Sequence, residues 1–179
     1  MGKVFAIVLV VTIAMIVVLQ FIDPNLATDA NQTTSALVQG GSISVSIEGE
    51  ITRPGTYMMD PSLTLGSLIQ VASGVTSNAD ELAYDTSYVL QDGLSFYIAP
   101  KYDNSDVCSL EPIKKVNIND DNEATLATVS GISSTIAGKI VSYRNANGRF
   151  ARIEDVKEVS GIGNATFEKI KNYIVLRAA

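Results

Sequence analysis

Residues 126–133 read Leu-Ala-Thr-Val-Ser-Gly-Ile-Ser, and thirty positions later residues 156–163 read Val-Lys-Glu-Val-Ser-Gly-Ile-Gly. Each copy predicts an apolar helix, a tight turn at a glycine and a second apolar helix that begins at once. Gly131 and Gly161 supply backbone angles that residues with side chains resist. The isoleucine after each glycine is expected to fill the gap between the two helices. The repeat therefore predicts two helical hairpins of the same build.

Both turns are candidate phosphate-binding sites. The helix after each turn begins with N–H groups that have no partner inside the helix, and its dipole adds a partial positive charge. We expect the N–H groups of residues 131–134 and 161–165 each to hold a phosphate. Lys139 and Lys169 are expected to reach phosphates beside their own turns. The candidate DNA-binding residues are Gly131, Ile132, Ser133, Ser134, Lys139, Arg144, Gly161, Ile162, Gly163, Asn164, Lys169 and Lys171.

The two turns differ at the position after the isoleucine, which is Ser133 in the first and Gly163 in the second. A serine side chain restricts how closely a phosphate approaches, although its hydroxyl can donate a hydrogen bond. The second hairpin is therefore expected to be the better site. The alternative is that both turns are plain connectors in a small bundle and that each lysine or arginine is a solvated surface charge.

The tandem pattern resembles the helix-hairpin-helix domain of the ComEA-type competence DNA receptors. The resemblance covers residues 116–174 and includes the opening Val-Asn-Ile-Asn at 116–119 and the Tyr-Arg of 143–144. It implies binding of double-stranded DNA without sequence specificity, for DNA uptake in natural transformation, with a DNA-import channel protein as a further partner. Residues 116–179 are thus expected to form an all-α tandem helix-hairpin-helix domain.

Four helices are expected in this domain. Asn119 or Asp120 is expected to cap the first, which runs to about residue 129. The second runs from residue 133 or 134 to about 147 and ends at Gly148. The third and fourth are expected over residues 153–159 and 164–174.

Charge is divided unevenly along the chain. The net charge of the whole is −6, which by itself argues against a nucleic-acid partner. Residues 23–113 hold 2 basic and 12 acidic residues, whereas residues 114–179 hold 10 basic and 7 acidic residues. An acidic part would repel DNA, so the C-terminal part is the plausible docking surface. Its net charge of +3 predicts weak, salt-sensitive binding.

The N-terminus predicts a membrane anchor. Residues 4–22 are apolar except for Thr12 and Gln20, and as a helix they span about 29 Å, roughly one hydrocarbon core. The run is longer than the apolar part of a signal peptide, so residues 1–22 are expected to stay as a single transmembrane helix. Lys3 precedes it, which places the bulk of the chain outside the cell membrane. Residues 23–41 are polar and predict a flexible tether.

Residues 42–100 predict a small α+β domain, so the chain as a whole is α+β. Apolar residues alternate from Ile43 to Ile47, a turn is expected at residues 53–56, and Thr64 is expected to cap a short helix that ends at Gly74. Asp-Gly at 92–93 predicts a β-hairpin. The pattern resembles the soluble-ligand-binding β-grasp (SLBB) module, whose ligand the sequence leaves unknown. Residues 101–115 are expected to be a linker.

Catalysis and metal binding are not expected. The chain has no histidine and one cysteine, Cys108, which we interpret as a spectator thiol. The adjacent carboxylates at 120–121 and 154–155 are better explained by helix capping than by a metal site. We therefore expect no enzyme activity and no cofactor. The alternative function is an envelope adaptor that binds a glycan or a protein through the β-grasp module; a repair or nuclease accessory factor is a weaker third.

Overall fold

The computed structural model describes residues 41–103 and 111–178. The predicted anchor at 1–22, all of the predicted tether except residue 41, and Cys108 lie outside the described residues. Within the described part of the chain, no helix has both the length and the apolar character needed to span a membrane. The expectation of an α+β chain is confirmed, since small sheets and several helices alternate along it.

A three-stranded sheet forms the centre of the N-terminal part. Its strands are β1 (Ile43–Gly49), β2 (Gly55–Met59) and β3 (Ser95–Ile98), in the spatial order β2-β1-β3. β1 is antiparallel to β2 and parallel to β3. The predicted alternation holds in β1, where Val45 and Ile47 are both buried.

Residues 41–103 are called the sheet module below. Helix α1 (Leu65–Val71) follows β2 and packs its leucines into the core of this module. It ends at Val71, three residues before the predicted stop at Gly74, which has φ +85° and donates its N–H to the carbonyl of Ile69. Thr64 precedes the helix, but its side chain makes no capping hydrogen bond. Its backbone pairs with Val89 instead, so the predicted cap is wrong.

The Asp-Gly at 92–93 forms a turn, with Gly93 at φ +75°, but not a β-hairpin. The segment before the turn pairs through Val89 with Thr64, and the segment after it is β3, which pairs with β1. The predicted hairpin is therefore wrong. Parallel pairing with β1 buries Phe96 and Ile98 in the sheet core, which a lone two-stranded ribbon would leave exposed.

The C-terminal part, residues 111–178, is called the helical domain below, and it contains helices and one small sheet. Its elements are β4 (Val116–Asn117), α2 (Glu123–Leu126), α3 (Ser134–Asn147), a 3₁₀ helix (Ile153–Glu158), α4 (Asn164–Ile170) and β5 (Ile174–Val175). The predicted bounds of α3 are confirmed, and the glycine that ends it, Gly148, has φ +91°. The last helix is shorter than expected because the chain turns into β5.

The all-α expectation for this domain is wrong because β4 and β5 pair in parallel. Two-residue strands are too short to show an alternating pattern in the sequence. The predicted cap of the first helix is also wrong: Asn122 caps α2, and its Oδ1 accepts from the N–H of Thr125 at 2.9 Å.

The side chain of Asn119 instead connects segments of the domain through hydrogen bonds. Its side-chain amide donates to the carbonyls of Phe150 and Leu176 at 3.1 and 3.0 Å. Its Oδ1 accepts from the N–H of Phe150 at 2.8 Å. The side chain is buried and its polar atoms are bonded, so it ties the start, middle and end of the domain together.

The two helical hairpins share a single apolar core. Ile132 and Ile162 are each 3% exposed and lie in the same cluster, as expected for residues that fill the gaps between helices. Each repeat contributes five buried side chains: Leu126, Val129, Ile132, Ala137 and Ile140 from the first, and Val156, Val159, Ile162, Phe167 and Ile170 from the second. Neither hairpin has an apolar core of its own.

The sheet module and the helical domain belong to one compact unit, residues 40–179. Lys115 and Asp80 form an ion pair at 2.7 Å, with side chains only 6% and 13% exposed. At the other end of the helical domain, the N–H of Leu176 donates to the carbonyl of Leu82. Arg177 donates to the carbonyl of Tyr84 at 2.9 Å. The sheet module therefore holds both ends of the helical domain.

A buried carboxyl group of the helical domain accepts a hydrogen bond from the sheet module. Glu154 is 6% exposed and accepts a hydrogen bond from the backbone N–H of Tyr97 in β3. Burial raises the pKa of Glu154 from 4.5 to about 7, against the opposing effect of the hydrogen bonds and of Arg152. The folded protein therefore binds this proton more tightly than the unfolded chain does.

We predict that Glu154 makes stability depend on pH between about 4.5 and 7. Because the pKa of the acid is raised in the folded state, its contribution is present below pH 4.5 and is lost as pH rises to 7. The expected loss is roughly 2–3 kcal/mol. Urea unfolding of wild type and Glu154→Gln at pH 5 and pH 8 measures it. Histidine is absent from the chain, so background titration in this window is small.

The glutamine variant should show little change between the two pH values. An equal fall in stability for wild type and variant would contradict the assignment to Glu154.

Candidate nucleic-acid interface

The two turns, residues 129–133 and 159–163, have the same backbone geometry. Gly131 has φ +105° and Gly161 has φ +104°, a region that favours glycine. The N–H of Ile132 donates to the carbonyl of Val129 at 3.0 Å, and the second turn repeats this bond at 2.9 Å. The N–H of each isoleucine, which the sequence predicts to bind phosphate, is therefore bonded inside its own turn. The isoleucine side chain points into the core.

Other N–H groups in the turns are open to a ligand. Within residues 41–103 and 111–178, no hydrogen bond involves the backbone N–H of Gly131, Ser133, Ser134, Gly161, Gly163 or Asn164. All six residues are exposed. Each turn therefore presents three exposed donors, as phosphate binding requires.

Ser133 distinguishes the first turn from the second. Its Oγ accepts from the N–H of Ile136 at 3.2 Å and caps α3. At the equivalent place in the second turn, the N–H of Thr166 donates to the carbonyl of Gly163. Since the Ser133 hydroxyl accepts in this cap, its hydrogen remains available to a phosphate oxygen.

The two lysines lie beside the opposite turns rather than their own. A Cβ placed on Gly161 would be 3.7 Å from the Nζ of Lys139, which belongs to the first repeat. A Cβ placed on Gly131 would be 3.6 Å from the Cβ of Lys169, which belongs to the second. The predicted equivalence of the lysines is kept, and each lies beside the turn of the other repeat, whereas the sequence led us to expect it beside its own. Packing through a shared core carries each second helix across to the other hairpin.

Two other candidate cations make internal contacts. Arg144 donates to the backbone carbonyls of Ile118 and Asp121 at 2.9 and 2.7 Å. Lys171 pairs with Glu168 at 2.6 Å, and its Nζ lies 4.2 Å from the centre of the Tyr97 ring. Both therefore support the fold, and neither extends freely toward the solvent.

The carboxylates at 120–121 and 154–155 do not form a metal site. Asp120 pairs with Arg149 at 2.7 Å, which lowers the pKa of its carboxyl group. Asp155 pairs with Arg152, and Glu154 is buried at the module junction. Among the described residues, no group of three or more His, Cys, Asp and Glu side chains is placed to hold a metal ion.

Comparison with known proteins agrees with this geometry. Residues 111–175 match the family described as the helix-hairpin-helix motif. Over 145 residues the chain is 35% identical to ComE operon protein 1 of Bacillus subtilis (strain 168), covering 76% of the chain and 71% of that protein. The chain belongs to the ComEA-type family of competence DNA receptors.

Other similarities cover only about a third of the chain. The chain is 40% identical over 58 residues to the endonuclease/exonuclease/phosphatase family domain-containing protein 1 of Xenopus laevis, which covers 32% of the chain and 10% of that protein. It is also 39% identical over 62 residues to an uncharacterized protein of Haemophilus influenzae, covering 34% of the chain and 55% of the other protein. The ComEA-type assignment therefore rests on the long match.

We predict that the two turn glycines differ in their tolerance of alanine. Both substitutions force a side chain into a positive φ, at a cost on the order of 1–3 kcal/mol. A Cβ at Gly131 would also lie 3.0 Å from Cγ2 of Ile170, whereas at Gly161 no contact is shorter than 3.7 Å. Gly131→Ala should therefore lower the free energy of unfolding more than Gly161→Ala, as measured by urea denaturation.

Gly163→Ser is the matched control for the two alanine variants. Gly163 has an ordinary φ of −95° and open space around it, and serine is a good N-cap. Its stability should stay near that of wild type. A loss at Gly163 as large as at Gly131 would contradict the strain argument.

Proposed function

We propose that this ComEA-type protein binds double-stranded DNA through backbone phosphates, without sequence specificity, for DNA uptake in natural transformation. One observation carries the proposal. At each of two equivalent turns, exposed N–H groups that bond to no described residue lie beside a lysine from the other repeat. Backbone donors and flexible cations recognise phosphate but do not read bases. Two such sites in one rigid core suit a polymer with regularly spaced phosphates.

The proposed interface consists of the two turns and the lysines that flank them. Its members are Gly131, Ser133, Ser134 and Lys169 at the first turn, and Gly161, Gly163, Asn164 and Lys139 at the second. Ile132 and Ile162 support the turns from the core. Arg144 and Lys171 stabilise the domain and are not assigned to DNA.

The rest of the proposal concerns the setting of this interface. Residues 1–22 are proposed to anchor the chain in the cell membrane, with the remainder on the extracytoplasmic side. The sheet module is proposed to be a β-grasp domain of the SLBB type, which the β2-β1-β3 order and the helix before β3 support. Bound DNA would pass to an import channel, and the protein itself would perform no catalysis.

Sequence-independent binding is tested with the full chain in a mild non-ionic detergent. Several duplexes of unrelated sequence are titrated by fluorescence anisotropy at four salt concentrations. We expect one common Kd at each salt concentration and a linear fall of log K with log salt, because binding releases counterions. An envelope adaptor, the alternative that the acidic residues 23–113 favour, would bind no duplex or bind without salt dependence.

The crossed arrangement of the lysines is tested by a double-mutant cycle on DNA affinity. Lys139→Gln and Gly161→Ala should act on the same phosphate, so their combined effect should be smaller than the product of the single effects. Lys139→Gln with Gly131→Ala should be close to multiplicative. Each lysine variant alone should reduce the salt slope by about 0.9.

Lys101→Gln on the sheet module is the control with the same change of charge, and it should leave the slope unchanged. If Lys139 couples to Gly131 rather than to Gly161, the crossed assignment is wrong.

A further inference from the structure

An open groove of about 560 Å³ lies beside the first turn. Residues 128–130, at the start of the turn, line it, and so do the end of the second repeat and the chain entering β4. The residues that line it are Lys114, Val116, Thr128, Val129, Ser130, Lys169 and Tyr173. The groove thus continues the first turn and the lysine that crosses to it, and its lining contains no acidic residue.

The residues at the equivalent positions of the second turn bond to each other. Tyr143 lies thirty positions before Tyr173, and Glu158 lies thirty positions after Thr128. The Tyr143 hydroxyl donates to the Glu158 carboxylate, and its ring stacks on Phe150 with 5.1 Å between centroids. The two repeats therefore differ here in both shape and charge: the second has a tyrosine held against a carboxylate, and the first has an open tyrosine near two lysines.

The groups in the groove suit a sugar and its phosphate. Within the described part of the chain, neither Lys114 nor Lys169 has an ion-pair partner, and both are exposed. The Ser130 hydroxyl makes no hydrogen bond there either, whereas the Thr128 hydroxyl donates to the carbonyl of Thr125. Tyr173 is 39% exposed and offers an apolar ring face.

We propose that the groove of Lys114, Ser130, Lys169 and Tyr173 binds one further phosphate–sugar unit of the DNA strand held at the first turn. This inference rests on the proposed function and extends it: the first hairpin has the longer contact with DNA and contributes more affinity. The opposite was expected from the sequence, where Ser133 favoured the second hairpin. The groove adds Lys114 to the first site. At the second, Glu158 repels phosphate, and the neighbouring Lys157 lies over the Phe167 ring.

Exchanging the residues that differ between the repeats tests the groove. Thr128→Glu places at the first turn the carboxylate that the second turn carries, and Glu158→Thr does the reverse. In the full chain, Thr128→Glu should weaken duplex binding by about tenfold and lower the salt slope by about 0.9, as one phosphate contact is lost. Glu158→Thr should strengthen binding several-fold.

Lys114→Gln tests the cation that only the groove would use. Because Lys114 is exposed and makes no ion pair with any residue that the structure describes, the variant should fold like wild type, which circular dichroism checks. It should weaken binding by about three- to tenfold with a salt slope lower by about 0.9. Lys101→Gln, with the same loss of charge, should change neither quantity.

The outcomes separate this inference from the proposed function. If wild type binds duplex DNA with a salt-dependent Kd but Lys114→Gln and Thr128→Glu bind like Lys101→Gln, the groove takes no part and the inference is overturned. The two turns then remain the whole interface. A wild-type chain that binds no duplex overturns the receptor function, and the groove assignment falls with it.

Discussion

The two helical hairpins depend on one shared apolar core, and the rest of the C-terminal domain follows from it. A helix as short as α2 or the 3₁₀ helix has too little apolar surface to fold alone. Each hairpin therefore buries its second helix against the other repeat, with Ile140 and Ile170 fully buried in the common cluster. This packing places Lys139 at the second turn and Lys169 at the first. The function proposed for each turn is thus completed by the other repeat.

The shared core also explains why the turns need few functional side chains. Glycine at φ near +105° lets the chain reverse within five residues, and the isoleucine that follows fixes the turn from below. Three N–H groups per turn are then left at the surface without a partner among residues 41–103 and 111–178. Because these residues are exposed to solvent, the N–H groups cost little stability, yet they are already oriented for an anion. Affinity can therefore come from many weak contacts with a repeating backbone.

Sequence reasoning recovered the parts of the fold that depend on local physics. The turn glycines, the isoleucine plugs and the bounds of α3 were predictable because positive φ and helix capping leave clear residue preferences. The β4–β5 pair, the Asn119 cross-link and the crossed lysines were not, since each depends on segments far apart in the chain. Lys114 was assigned to a linker because only the folded chain brings it beside Tyr173. The thirty-residue repeat did contain a signal for the crossing, because equivalent helices in one core tend to pack reciprocally.

The double attachment of the helical domain has a mechanical consequence. The sheet module holds this domain at its entry through the ion pair of Lys115 and Asp80, and at its exit through Leu176 and Arg177. A tensile load applied to a polymer held at the turns would be divided between two anchorage points that act in parallel. Separating the helical domain from the sheet module would require both noncovalent anchorages to break, whereas a domain held at one end alone would separate after a single loss.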